Sequence, residues 1–184
     1  MNNKSRLIFL LLFCLSTEVL ADTQNFRWQG KEIELLNKSN SISATKDGEI
    51  IFDVQSNQEE EGSIKIEDMN FDGYPDFFVP RDFGIERYFD VYIFNKKKGE
   101  YLLDEFLSKL ACPESIQNNK TVISSCNQSN ACEHWQDTYR LKRNKYQIIL
   151  KEGTSCNPVT GEGFKYIEKY NNGKKIWQRS FPIQ

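Results

Sequence analysis

A chain of 184 residues with 24 Lys and Arg against 26 Asp and Glu carries a formal charge of −2. That mild balance gives no electrostatic ground for a nucleic-acid partner or for docking on an anionic membrane. The length suits one domain with a full-sized core, and an aromatic content of 13 % suits β-structure with large packed side chains.

The first segment reads as an export signal. Lys4 and Arg6 precede the apolar run from Leu7 to Leu15, and Val19-Leu20-Ala21 supplies a small-residue cleavage site. The run is too short to span a bilayer as a helix. Cys14 lies inside it behind Phe13, so lipidation there is not expected. Cleavage after Ala21 makes residues 1–21 a signal peptide and residues 22–184 a single domain in the periplasm or outside the cell, without a membrane span. Losing Lys4, Arg6 and Glu18 leaves 22 basic and 25 acidic side chains.

The stretch from Gln24 to Trp28 is short and expected to be peripheral. Glu32 to Leu36 and Ser41 to Thr45 read as weak strands, and Asp47-Gly48 is a hairpin signal leading into Glu49 to Val54. Gln55 to Gly62 is polar and contains Glu59-Glu60-Glu61, the composition of a solvated loop.

Asp68-Met69-Asn70-Phe71-Asp72-Gly73-Tyr74-Pro75-Asp76 reads D-x-N-x-D-G-x-x-D. Side-chain oxygens fall at loop positions 1, 3, 5 and 9, and glycine falls where an oxygen-lined loop must turn sharply, which is the ligand spacing of a Ca²⁺ loop. Asp68, Asn70, Asp72, the carbonyl of Tyr74 and Asp76 are the expected ligands. The loop is not an EF-hand. Position 12 is Val79, and the flanks Ser63 to Glu67 and Asp76 to Pro80 alternate or are β-branched and aromatic, as strands do. An acidic surface turn without metal is the alternative, since Asp, Asn and Gly all form turns.

Tyr88 to Phe94 is a strong strand, Lys96-Lys97-Lys98-Gly99 its turn, and Glu100 to Leu103 the returning strand. Leu103, Phe106, Leu107 and Leu110 have helical spacing, which predicts one short helix. Strands resume at Lys120 to Ser125, Cys132 to Leu141 and Tyr146 to Cys156. A last hairpin, Phe164 to Tyr170 with Lys174 to Phe181, closes at Asn171-Asn172-Gly173. The expected fold class is therefore all-β and antiparallel: a meander, sandwich or propeller.

Four cysteines follow the signal: Cys112, Cys126, Cys132 and Cys156. An even number in an exported chain predicts two disulfides. A zinc site is disfavoured, because no pair has C-x-x-C spacing and His134 is the only histidine. If Leu141 faces Ile148 across the hairpin, Cys132 lies beside Cys156, which leaves Cys112 with Cys126.

Catalytic motifs are missing. There is no G-x-S-x-G turn and no phosphate-cradling glycine loop, oxidised cysteines are not nucleophiles, and His134 stands alone beside Trp135. These features predict a protein that is not an enzyme, although a pair of carboxylates acting on a glycan is a third reading.

The block from Ile64 to Phe77 resembles the calcium loops of integrin-type FG-GAP propeller repeats. With the tyrosine-rich strand at Tyr88 to Phe94, the Leu-rich segment from Leu103 to Leu110, the strand at Thr121 to Ser125 and the hairpin from Trp135 to Leu150, the order is similar to that of periplasmic calcium-binding proteins related to lysozyme inhibitors. Some of those serve as immunity proteins against peptidoglycan-degrading effectors. The resemblance implies a propeller-like β-fold with structural Ca²⁺ and a partner that is a peptidoglycan hydrolase, inhibited by protein–protein contact. A rigid loop loses less entropy on binding, and the segment after the calcium-tied strand, with Arg81, Phe83, Glu86, Arg87 and Tyr88, is the expected contact surface. The alternative implied by the FG-GAP likeness is a calcium-stabilised adhesion or carbohydrate-binding module.

Overall fold

In a computed structural model the described residues are 22–38, 41–55, 64–82, 84, 86–126, 132–157 and 159–183. The expected signal peptide, the Glu59-Glu60-Glu61 run and Phe83 lie outside them.

Three antiparallel sheets follow one another along the chain. The first contains β1 (Asp22–Trp28), β2 (Lys31–Lys38), β3 (Ser41–Lys46) and β4 (Glu49–Gln55). The second contains β5 (Lys65–Glu67), β6 (Asp76–Asp82), β7 (Tyr88–Asn95) and β8 (Glu100–Leu103). The third contains β9 (Pro113–Ile116), β10 (Thr121–Ser124), β11 (His134–Lys142), β12 (Lys145–Cys156), β13 (Gly163–Asn171) and β14 (Lys174–Pro182). Within each sheet the strands lie in their order along the chain. Tight hairpins make this possible. Asp47-Gly48, Arg143-Asn144 and Asn172-Gly173 each place two successive residues at positive φ, the geometry whose twist matches the flanking strands.

The second sheet is the middle layer. On β6, successive side chains point to opposite faces. Phe77 and Val79 join Ile33, Leu35, Ile42, Ala44 and Phe52 of the first sheet in one core. Phe78 joins Met69, Val91, Leu107, Leu110 and Val122 in a second core against the third sheet. Phe77 stacks on Phe52 at 4.4 Å and meets Tyr101 edge-on at 4.9 Å. A strand buried on both faces reads as an unbroken apolar run, and Phe77-Phe78-Val79 is one. Pro80 follows where β5 has ended, beside a bulge between Pro80 and Asp82, a place where a missing N–H is tolerated.

This architecture corrects the expected one. The chain is all-β and antiparallel, but its sheets are open and stacked, with no closed barrel and no arrangement of propeller blades. The short α-helix expected around Leu103 to Leu110 is a single 3₁₀ turn, Leu107–Lys109. Asp104 is the reason: its Oδ1 accepts from the N–H groups of both Phe106 and Leu107, fixing a tight turn, and Leu110 is already extended. Among the described residues no helix is long and apolar enough to cross a membrane.

Both disulfides form as paired above, Cys112–Cys126 and Cys132–Cys156, although the register behind the second was misplaced. Leu141 pairs with Tyr146, not Ile148, and a bulge between Thr138 and Tyr139 shifts the ladder so that His134 faces Thr154. Continued by two residues, that register sets Cys132 level with Cys156. A thiol titration of the denatured, unreduced mature protein should therefore find no free thiol. Reduction should destabilise it by roughly 2–5 kcal/mol per bridge, read as a lower urea midpoint, and a thiol titre near four would refute the pairing.

Candidate functional site

The segment between β5 and β6 is where the three sheets meet. Its carboxylates first organise their own backbone. Asp68 accepts from the N–H of Asp72 through Oδ1 (3.0 Å) and from that of Gly73 through Oδ2 (2.8 Å). Asn70 Oδ1 accepts from the same Asp72 N–H at 3.1 Å, and Asp72 Oδ1 accepts from Tyr74 N–H at 2.8 Å. Phe71 and Gly73 lie at φ 59° and 88°. Glycine meets the second requirement without strain, and a Cβ there would come into van der Waals contact with the Gln29 amide.

Side chains from all three sheets then hold the loop's carbonyls. Trp28 Nε1 and Gln29 Nε2, at the end of β1 and in the following turn, donate to the Gly73 carbonyl at 3.1 and 2.7 Å. Lys96, in the β7–β8 turn, donates to the Asp72 carbonyl at 2.9 Å and lies over the Tyr74 ring. From the third sheet's side, Gln117 Nε2 donates to the Asp68 carbonyl at 2.7 Å and the Tyr146 hydroxyl to the Met69 carbonyl at 3.3 Å. Tyr74 stacks on Phe94 at 4.4 Å. Sequence reading missed these five clamps. Each is distant in sequence from the carbonyl it holds and has no local motif, and Trp28 was placed at the periphery.

Asp76 is different in kind. It is fully buried, its Oδ2 accepts from Met69 N–H (2.8 Å) and its Oδ1 from Phe94 N–H (3.3 Å). Burial pushes its carboxyl up to about 7; the two backbone donors oppose that rise, and the nearby charges of Asp68 and Asp72 add to it. Burial, followed by the charges of Asp76 and Asp72, pushes the Tyr101 hydroxyl up; burial, followed by Asp104 and then Asp76, Asp68 and Asp72, does the same to Tyr146. Among the described residues no lysine or arginine forms an ion pair with Asp68, Asp72 or Asp76. Three acidic groups thus share a negative region met by backbone N–H groups, with the Lys96 ammonium beside it on the Asp72 carbonyl.

Among the described residues no three acidic, histidine or cysteine side chains gather as a metal-holding group, because their oxygens are turned onto loop N–H groups. The donor chemistry nevertheless fits a hard cation. Every ligand atom on offer is oxygen, and each carboxylate oxygen retains a second lone pair.

The expected contact surface is largely tied back onto the protein. Arg81 pairs with Asp90 (3.1 Å), donates to the Ser108 carbonyl (2.9 Å) and lies over the Tyr88 ring. Tyr88 donates to Glu86 at 2.8 Å, and the Arg87 carbonyl receives the N–H of Cys112. These contacts order the described part of the segment from within the protein.

No protein-family model matches the chain, and no curated protein matches it. Among solved structures it is similar to a Xanthomonas type IV secretion system related protein, with a TM-score of 0.60 and 19 % identity over 91 % of this chain and 95 % of that one. At that identity the likeness shows the fold. It replaces the resemblance to FG-GAP propellers and lysozyme inhibitors, whose propeller arrangement is not found here. With that frame gone, the reading of the chain as a peptidoglycan-hydrolase inhibitor, and the adhesion-module alternative taken from the same repeats, are both set aside.

Proposed function

We propose that this chain is an exported, non-catalytic accessory protein that works in the setting of a type IV secretion system, with its β5–β6 loop taking Ca²⁺ as a structural tie. The observation that carries the cation is the loop itself: the charges of Asp68 and Asp72 act on Asp76, and no described cationic side chain forms an ion pair with the three, Lys96 reaching only the Asp72 carbonyl. Asp68, Asn70, Asp72, the Tyr74 carbonyl and Asp76 would hold the ion. Bound there, it would neutralise the carboxylates and stiffen the point where side chains from all three sheets converge. The secretion setting is supported by the shared fold. A non-catalytic role is supported by Cys112, Cys126, Cys132 and Cys156, all locked in disulfides, and by the exposure of His134 on β11.

Titration calorimetry of chelator-stripped mature protein should show one Ca²⁺ site with a dissociation constant on the order of 10⁻⁴–10⁻³ M, the range of extracellular modules. Asp72→Ala should abolish the heat. Equal heats for wild type and variant would refute the cation reading. N-terminal sequencing of the protein from a periplasmic fraction tests export, which requires a chain beginning at Asp22.

A further inference from the structure

The hairpin β13–β14 stands outside both cores: neither strand contributes a residue to them. β14 is exposed along nearly its whole length, including Ile176 and Trp177. It pairs only with β13, so its outer edge carries backbone groups that no described strand uses. The hairpin is also basic. Between Gly163 and Gln184 stand Lys165, Lys169, Lys174, Lys175 and Arg179 against Glu168 alone, in a chain whose total charge is −2. Among the described residues only Lys175 of these cations forms an ion pair, with Glu168 at 2.9 Å.

The register arranges this charge. Lys165 faces Phe181, Ile167 faces Arg179 and Lys169 faces Trp177. Strand alternation then puts these six side chains on one face of the hairpin. Lys169 lies over the Trp177 ring at 5.2 Å and Arg179 over the Phe181 ring at 4.7 Å. The face is a row of cations interleaved with aromatic platforms, beside an open strand edge.

We propose that the outer edge of β14 receives an extended acidic segment of a partner protein, added as a further antiparallel strand. Backbone hydrogen bonds to the open edge would supply the strand geometry. Asp or Glu at alternate positions of the guest would share the face of Lys165, Lys169 and Arg179, and the apolar positions between them would point to the opposite face of the sheet. Lysines on an edge also guard it against pairing with itself. That guard excludes a second copy, which would bring the same positive charge, and leaves an acidic strand as the compatible guest. A long phosphate polymer fits less well, because outside the hairpin the chain is net acidic and would repel it.

The probe is a fluorescein-labelled peptide of about eight residues alternating Glu and Val, the length of a strand, titrated with mature protein and read by fluorescence anisotropy. Saturable one-to-one binding is expected. It should weaken at least about tenfold when Lys169→Glu and Arg179→Glu are combined, as like charges are then juxtaposed. These side chains are on the surface, and an unchanged circular dichroism spectrum would show that the variant folds. The same peptide N-methylated at alternate amides cannot complete the strand and should bind at least about tenfold more weakly. Absence of binding, equal binding of the N-methylated peptide, or tighter binding of single-stranded DNA would overturn the proposal.

Discussion

Phe77→Ala should lower the stability of the mature protein by about 3–5 kcal/mol, the range for emptying a buried aromatic site. Phe77 is fully buried, and it joins the middle sheet to the first through its stack on Phe52 and its contact with Tyr101. Truncation would leave a cavity between two layers whose backbones are held by separate ladders, so neither has an easy way to close it. Phe78→Ala should cost a similar amount for a separate reason, since its ring belongs to the core against the third sheet. Ile50→Ala, at a side chain 69 % exposed, should change stability by no more than about 0.5 kcal/mol. Urea denaturation of the three variants measures all of this. A cost for Phe77→Ala as small as that for Ile50→Ala would mean that the three-layer packing is wrong.

The metal-free protein should become less stable as pH rises from 3.8 to about 7, the interval between the ordinary carboxyl value and that of Asp76 in the fold. Burial is the main cause of the displacement. The folded state holds this proton more tightly than the unfolded chain does, so the stabilisation is complete below the lower value and is lost as pH passes the upper one. One such group sets a slope of at most about 1.4 kcal/mol per pH unit. Chelator-treated protein unfolded by urea across this interval provides the measurement. Saturating Ca²⁺ should flatten the decline, because an ionised Asp76 would then have a cation beside it. Asp76→Asn has no proton to lose and should flatten it with or without metal. A level profile for chelated wild type would show that Asp76 is ionised at low pH within the fold.

What could be read before the structure was what local chemistry decides. Asp47-Gly48 and Asn172-Gly173 mark hairpins because their backbones accept positive φ, and Asp68 to Asp76 marks a polar loop because its oxygens fall at alternate positions. The disulfide pairing was also reachable, although the bulge at Thr138/Tyr139 moved the register beneath it, and one extra residue in a ladder leaves no clear mark in an alternating pattern. The layering was harder to see. That Phe77 and Phe78 serve different cores depends on which sheets flank β6, information spread over the whole chain. The propeller expectation failed because an acidic loop with a placed glycine is a local solution that different folds share. The helical spacing of Leu103, Phe106, Leu107 and Leu110 was real, but the side chain of Asp104 directs the backbone into a tighter turn. The clamps from Trp28, Gln29, Lys96, Gln117 and Tyr146 were invisible, since an indole or amide donor reveals nothing of its acceptor until the sheets are stacked.

The order of the strands has a consequence for how the molecule is made. Each strand lies beside its neighbour in the chain throughout all three sheets, so no ladder waits for a distant segment to arrive. Loop-closure entropy, which slows most all-β proteins, is met here in small steps. Each sheet is able to begin as a succession of hairpins while later residues are still emerging, leaving the stacking of layers on the two faces of β6 as the late event. Amide hydrogen exchange would then separate the molecule by layer. Protection should be longest on β6 and β7, and shortest on β14, which opens without disturbing either core.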